Sequence, residues 1–244
     1  MTFYRNGVWL VKGLKEYTKA GYEAAAKHFV PGDLDVNLKG KSFMITGANS
    51  GIGKAAAIEI AKRDHFGDMP FHSADSATTL IHSCKNGLQI TVSSGGMLVQ
   101  KLNIADLQFE KGQFDGTMAY AQNKRQQVIL TEQWSKQHTD IHFSSMHPGW
   151  ADTPAVRLSM PDFYEKMKNK LRSEAQGADT VVWLAVSASA ATQASGQFYQ
   201  DRKPVSAHLP LASTRSSAGD EEKLLTVLEQ LAEKFNPNTA QSSD

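Results

Sequence analysis

The run Thr46-Gly47-Ala48-Asn49-Ser50-Gly51-Ile52-Gly53 stands directly after the apolar Phe43-Met44-Ile45 and just before the helix-forming Ala55-Ala56-Ala57. Three glycines at this spacing between a strand and a helix let the turn tighten. They also let backbone N–H groups approach a pyrophosphate and let the helix lie close on the strand. A P-loop fails on two counts: Ala48 stands where its first glycine belongs, and Ala55 replaces the Ser or Thr that would hold magnesium. A plain glycine-rich turn is the remaining rival.

The pattern downstream alternates strand and helix. Lys41 to Thr46 reads as a buried strand, followed by a helix from Gly51 to Arg63. Leu88 to Ser93 is a second strand, Gly95 to Thr117 a loop, and Met118 to Gln137 a helix. Ile141 to Met146 is a third strand, ended by His147-Pro148-Gly149, and Ser173 to Ser187 a helix with Ala178, Val181, Val182, Leu184 and Ala185 inward. Gly196 to Gln200 makes the last strand, Asp201 to Gly219 a polar connection, and Asp220 to Phe235 a terminal helix burying Leu224, Val227, Leu228, Leu231 and Phe235. Such alternation predicts an α/β fold, a doubly wound, Rossmann-like parallel sheet covered on both faces. Ligands bind such sheets beyond the carboxyl ends of the strands, where the glycine turn, Ser94 and Pro148-Gly149 all fall.

Composition narrows the partners. With 244 residues and 41% hydrophobic content the chain can bury a core. Its net charge of +1 gives no electrostatic case for nucleic acid. The single cysteine, Cys84, excludes an internal disulfide and suits a cytoplasmic or other reducing compartment. No run approaches the roughly 20 apolar residues of a membrane span, and Val8 to Val11 is too short for a signal-peptide core. Tyr4, Val8, Val11 and Leu14 recur at helical spacing among Arg5, Lys12, Lys15 and Lys19. A helix packed on the main domain is favoured over a membrane-surface helix. Pro31-Gly32-Asp33 closes this N-terminal part.

Two Tyr-x-x-x-Lys pairs occur, Tyr120–Lys124 and Tyr164–Lys168. Tyr120 follows the Val92-Ser93-Ser94 strand end and opens a helix that carries Lys124 one turn along the same face. Tyr164–Lys168 has no such upstream partner and reads as a solvated helix face.

Taken in order, the glycine turn, Ser94, Tyr120–Lys124 and Pro148-Gly149-Trp150-Ala151-Asp152-Thr153 resemble the short-chain dehydrogenase/reductase family. The resemblance implies an NAD- or NADP-dependent oxidoreductase that interconverts a carbonyl and an alcohol on a small molecule. By that resemblance Tyr120 would exchange a proton with the substrate oxygen, Lys124 would stabilise its phenolate and bond the nicotinamide ribose, and Ser94, rather than Ser93, would hold the substrate oxygen. Gly47, Asn49, Ser50, Gly51, Ile52 and Gly53 would line the pyrophosphate, with Pro148, Gly149 and Thr153 on the nicotinamide side. The family dimer would use a helix that has no counterpart here, so the oligomeric state is not legible.

The chain departs from the family between residues 64 and 89. Three strand-helix units, on the order of 90 residues, are expected where 26 stand. The strand that selects NAD or NADP and the helix bearing the family's catalytic Asn have no match. The expected layout is a helical extension (1–38), an incomplete dinucleotide-binding domain (39–204, with 64–89 a replacement segment) and a linker with a C-terminal helix and polar tail (205–244). Ser73 or Asp75 could cap a short helix carrying Leu80, Ile81 and Cys84 up to Asn86-Gly87. His65, His72, His82 and Cys84 lack zinc-ligand spacing, so no metal is expected. Either the first strand pairs directly with the Ser-bearing strand, or the fold is compromised. Impaired catalysis is the resulting expectation, with a non-enzymatic binding protein or a poorly folded splice product as alternatives.

Overall fold

The computed structural model describes residues 2–63, 71–72 and 87–235. Helix α1 (Thr2–Lys12) runs through a π turn (Gly13–Tyr17) into α2 (Lys19–Ala26), with Thr18 capping the second helix by accepting from the Gly21 N–H. As the favoured reading expected, α1 docks on the domain. Arg5 donates to the Ala212 carbonyl at 2.7 Å, and the Trp150 ring leaves no room for a side chain at Gly13. Phe3, Leu10, Val11 and Leu14 face outward. Among the described residues no helix is long and apolar enough to cross a membrane.

The chain forms an α/β architecture with a mainly parallel sheet. Strands β3 (Leu88–Val92), β4 (His142–His147) and β5 (Gln197–Gln200) run parallel, and β6 (Lys203–Pro204) returns antiparallel to β5. The return passes through Asp201 and Arg202, both at positive φ. Alternation along β4 sends side chains to two faces. Phe143 meets Trp134 of α4 (Gly116–Gln137), while Met146 clusters with Trp183 and Leu184 of α7 (Glu174–Val186). Helices therefore cover both sides. The last long helix, α9 (Ala218–Lys234), adds Leu224 to Leu102 and Ile129 beneath α4.

The first strand departs from expectation. Only Phe43–Met44 forms β1, and it pairs in parallel with β2 (Phe71–His72), not with the Ser-bearing β3. Among the described residues the sheet is thus divided into a pair and a four-stranded part. Helix packing, rather than pairing between described strands, holds β1 beside the larger sheet. Its following helix α3 (Gly51–Ala61) buries Ala55, Ala56 and Ile60 against Ala178 and Val182 of α7, and Phe43 and Ile45 join that cluster. Small residues let the two helices approach closely.

Smaller corrections have local causes. The region from Gly95 opens with a 3-10 turn (Gly95–Val99), not a loop, because the Ser94 hydroxyl caps it. Helix α4 begins at Gly116 because Asp115 accepts from Thr117 and Met118 N–H. Helices α5 (Pro154–Ser159) and α6 (Pro161–Met167), each opened by a proline, and the one-turn α8 (Ala188–Ala191) are additional. Phe235 lies exposed past the end of α9 instead of on its buried face. The helix expected after Ser73 or Asp75, and His65, His82 and Cys84, lie outside the described residues.

Candidate active site

The glycine turn has the backbone its composition demands. Gly47 and Gly51 adopt φ +66 and +56 degrees, the left-handed region that glycine enters without penalty. A Cβ at Gly53 would collide with the Gly47 carbonyl oxygen, so the turn closes only with glycine there. Ser50 precedes α3 without a side-chain cap. The other Ser, Thr or Asp residues at helix starts among the described residues, including Thr18, Asp115, Thr153, Ser173 and Ser217, all cap. The first N–H groups of α3 therefore take no cap from the Ser50 side chain, at the positive end of the helix dipole. Gly47 and Asn49 are exposed above this turn.

Ser93 and Ser94 separate into two roles. Ser93 is buried and its hydroxyl donates to the Lys124 carbonyl at 2.9 Å, tying β3 to α4. Ser94 is half-buried and its Oγ accepts from the Gly96 N–H at 3.1 Å, which leaves its own proton to donate. Tyr120 is 52% exposed at the start of α4. The Lys124 ammonium lies 5.6 Å from the Tyr120 ring centroid and donates to the Val92 carbonyl at 3.0 Å and to Gln127 Oε1 at 3.1 Å. Burial lowers the Lys124 pKa from its ordinary value. Among the described residues no hydrogen bond joins Ser94 to Tyr120. The rival pair is different: Lys168 is bound to Glu165 at 2.7 Å on a surface helix, and Arg157 lies over the Tyr164 ring.

The loop after β4 links the two halves. The Thr153 side chain would stand 3.5 Å from a Cβ on Gly51, so this loop lies against the glycine turn. Gly177 of α7 fits beneath it, where any side chain would press on Ile52 and Ala151. Gly149 takes φ +78 degrees over the Arg172 guanidinium. Sequence reasoning missed Arg172, a lone arginine before a capped helix. It is buried, donates to the Tyr17 carbonyl at 3.1 Å and the Pro148 carbonyl at 3.3 Å, and pairs with Asp201 at 2.6 Å. His147, directly before the loop, is fully buried. Its Nδ1 accepts from the Gly95 N–H at 2.8 Å, so the neutral ring carries its proton on Nε2. Burial, then Arg172 and Lys12, hold its pKa well below the ordinary histidine value.

A glycine turn at a helix start, a serine at the end of β3 and a Tyr-x-x-x-Lys pair on α4 stand in an α/β fold, and the class of protein is a dehydrogenase/reductase. The chain belongs to the short-chain dehydrogenase/reductase family. It is 46% identical over 316 residues to dehydrogenase/reductase SDR family member 12 of Homo sapiens, an alignment spanning 96% of this chain and 100% of that protein. The protein of the same name from Bos taurus is 45% identical over the same shares. An alignment of 316 residues cannot be filled by 244, so at least 72 of its positions have no residue here. Among solved structures, an uncharacterised protein from Mycobacterium paratuberculosis shares the fold at TM-score 0.59 and 17% identity, over 81% of this chain and 95% of its own. No protein-family model matches the chain.

Proposed function

We propose that the chain is an NAD(P)-dependent dehydrogenase/reductase acting on a small carbonyl or alcohol, and that its shortened form works weakly. One observation carries the reading. The Thr153 loop follows β4 and lies within a side chain's reach of Gly51, and so brings the glycine turn toward the strand edge that bears Ser94.

The glycine cradle suits a pyrophosphate, since Gly47 has open space around it and α3 offers uncapped N–H groups. Bound NAD(P)H would supply the hydride to a carbonyl carbon, and NAD(P)+ would take it back from an alcohol. Gly47, Asn49, Ser50, Gly51, Ile52 and Gly53 would hold its phosphates, and Pro148, Gly149 and Thr153 would line its nicotinamide side. Ser94 would donate a hydrogen bond to the substrate oxygen, Tyr120 would exchange the one proton with it, and Lys124 would supply the positive charge beside the phenol. Lys124 spends two of its three N–H donors on the Val92 carbonyl and Gln127, which leaves one for a ribose.

We place the missing positions between Arg63 and Ile90, where the family builds further strand-helix units. The gap between β1 and β3 fits the loss of a strand that would join them, and only the two-residue β2 pairs with β1 on its other side. A non-enzymatic nucleotide-binding protein is the second reading, favoured by the glycine cradle, which suits a pyrophosphate whether or not turnover follows. Turnover decides between the two. Purified chain with NADH or NADPH and a panel of aldehydes and ketones should give slow oxidation of the cofactor that Tyr120→Phe abolishes. Binding without turnover would leave the binding-protein reading.

A further inference from the structure

The N-terminal helix reaches the serine of the site through two consecutive peptide units. The indole Nε1–H of Trp9 donates to the Gly95 carbonyl at 2.7 Å. That carbonyl shares its peptide unit with the Gly96 N–H, which donates to Ser94 Oγ at 3.1 Å. The preceding unit is held as well, because the Gly95 N–H donates to His147 Nδ1 at 2.8 Å. Both polar groups of Gly95 are therefore held by side chains from distant parts of the chain, one from α1 and one from the end of β4. Space is also tight there: a Cβ on Gly95 would stand 2.7 Å from His147 Nε2 and 3.0 Å from the Tyr17 ring. Trp9 is itself seated edge-on against Trp150, with ring centroids 5.7 Å apart, and Tyr17 meets His147 at 4.3 Å.

We infer that Trp9 and His147 are positioning residues for Ser94, so that the N-terminal extension is a working part of the site. The inference rests on the assignment of Ser94 made above. A serine at the start of a glycine-containing turn has a soft backbone on one side, and catalysis needs its hydroxyl held within a few tenths of an ångström. Trp9 fixes the plane of the peptide that anchors the hydroxyl, and His147 fixes the plane before it. Trp9 acts by hydrogen bonding, not by apolar contact alone, so its N–H is the atom that matters.

Amide hydrogen exchange at Gly95 and Gly96 tests this without requiring turnover. Trp9→Phe keeps a ring against Trp150 and removes the donor with part of the indole. It should speed exchange at Gly96 about tenfold, the effect of losing one hydrogen bond, while Val182 in α7 keeps its protection. His147→Leu should do the same at Gly95, and His147→Asn, which can present an acceptor, should restore it. In kinetics Trp9→Phe should lower kcat about tenfold with little change in KM for the cofactor. Unchanged exchange at Gly96 in Trp9→Phe would overturn the inference, as would faster exchange with kcat unaltered. If His147→Leu does not fold, the Trp9 variant still decides. Failure of the Ser94 assignment itself shows separately, as Ser94→Ala retaining full turnover.

Discussion

Arg172 lies directly beneath Gly149, so close that any side chain at the glycine would collide with the guanidinium. The contact couples a buried ion pair to the loop assigned to the nicotinamide side. Arg172 and Asp201 are both buried, and Arg172 also donates to carbonyls of the N-terminal extension and of Pro148. One side chain thus holds together the extension, the β4 loop and the β5–β6 turn.

Removing one partner strands the other charge. Arg172→Met should cost about 3–5 kcal/mol, the range for a broken buried pair, read as the shift in a urea midpoint. The double variant with Asp201→Leu should recover part of that loss. Gly149→Ala should cost about 2–4 kcal/mol, from the left-handed backbone and the collision together. An Arg172→Met chain as stable as the parent would show that the pair does not hold the loop.

His147 sets a pH limit. Its folded pKa lies well below the unfolded value of about 6.5, so below that pH the unfolded chain binds a proton that the folded chain refuses. Stability from this group is fully present above about pH 6.5 and falls as the pH drops, by up to about 1.4 kcal/mol per unit. His208 adds in the same direction: burial, then Arg125 and Arg215, lower its pKa to about 4. Denaturant midpoints between pH 7.5 and 5 should decrease, and His147→Asn should flatten the slope. A pH-independent midpoint would contradict the buried neutral ring.

The two tyrosines should behave differently. Where turnover is measurable, Tyr120→Phe should reduce it at least about a hundredfold, the usual worth of a positioned proton donor. Tyr164→Phe should leave it within about twofold, because Tyr164 sits on a surface helix under Arg157. Equal losses from both would remove Tyr120 from the assigned role.

Much of this was legible because local chemistry decided it. Gly47, Gly51 and Gly53 announce a turn that only glycine can make, and the order Ser94, Tyr120, Lys124, Pro148 follows from strand-helix alternation. What escaped is what depends on distant partners. Nothing in the neighbours of Arg172, Trp9 or His147 shows that each reaches across the chain to a carbonyl, a peptide or an ion pair. The division of the sheet escaped as well. What keeps β1 beside the rest is α3 packing on α7, a match of small residues far apart in sequence. Capping explains the misplaced starts of α4 and α9: Asp115 and Ser217 accept from N–H groups of the first turn and set each start two residues earlier.

The central claim is that the chain keeps the pyrophosphate end of a cofactor site while its adenine side is reduced to the two-residue β2 beside β1. Calorimetric titration with NADH and with NADPH tests it most directly. The account predicts binding weaker than about 100 μM, an affinity of only about 5 kcal/mol, with little preference between the two. It also predicts that a family-type segment of roughly 90 residues inserted between Arg63 and Ile90 tightens binding and raises the melting midpoint together, because the same strands build pocket and core. Low-micromolar binding by the chain as it stands would contradict the account.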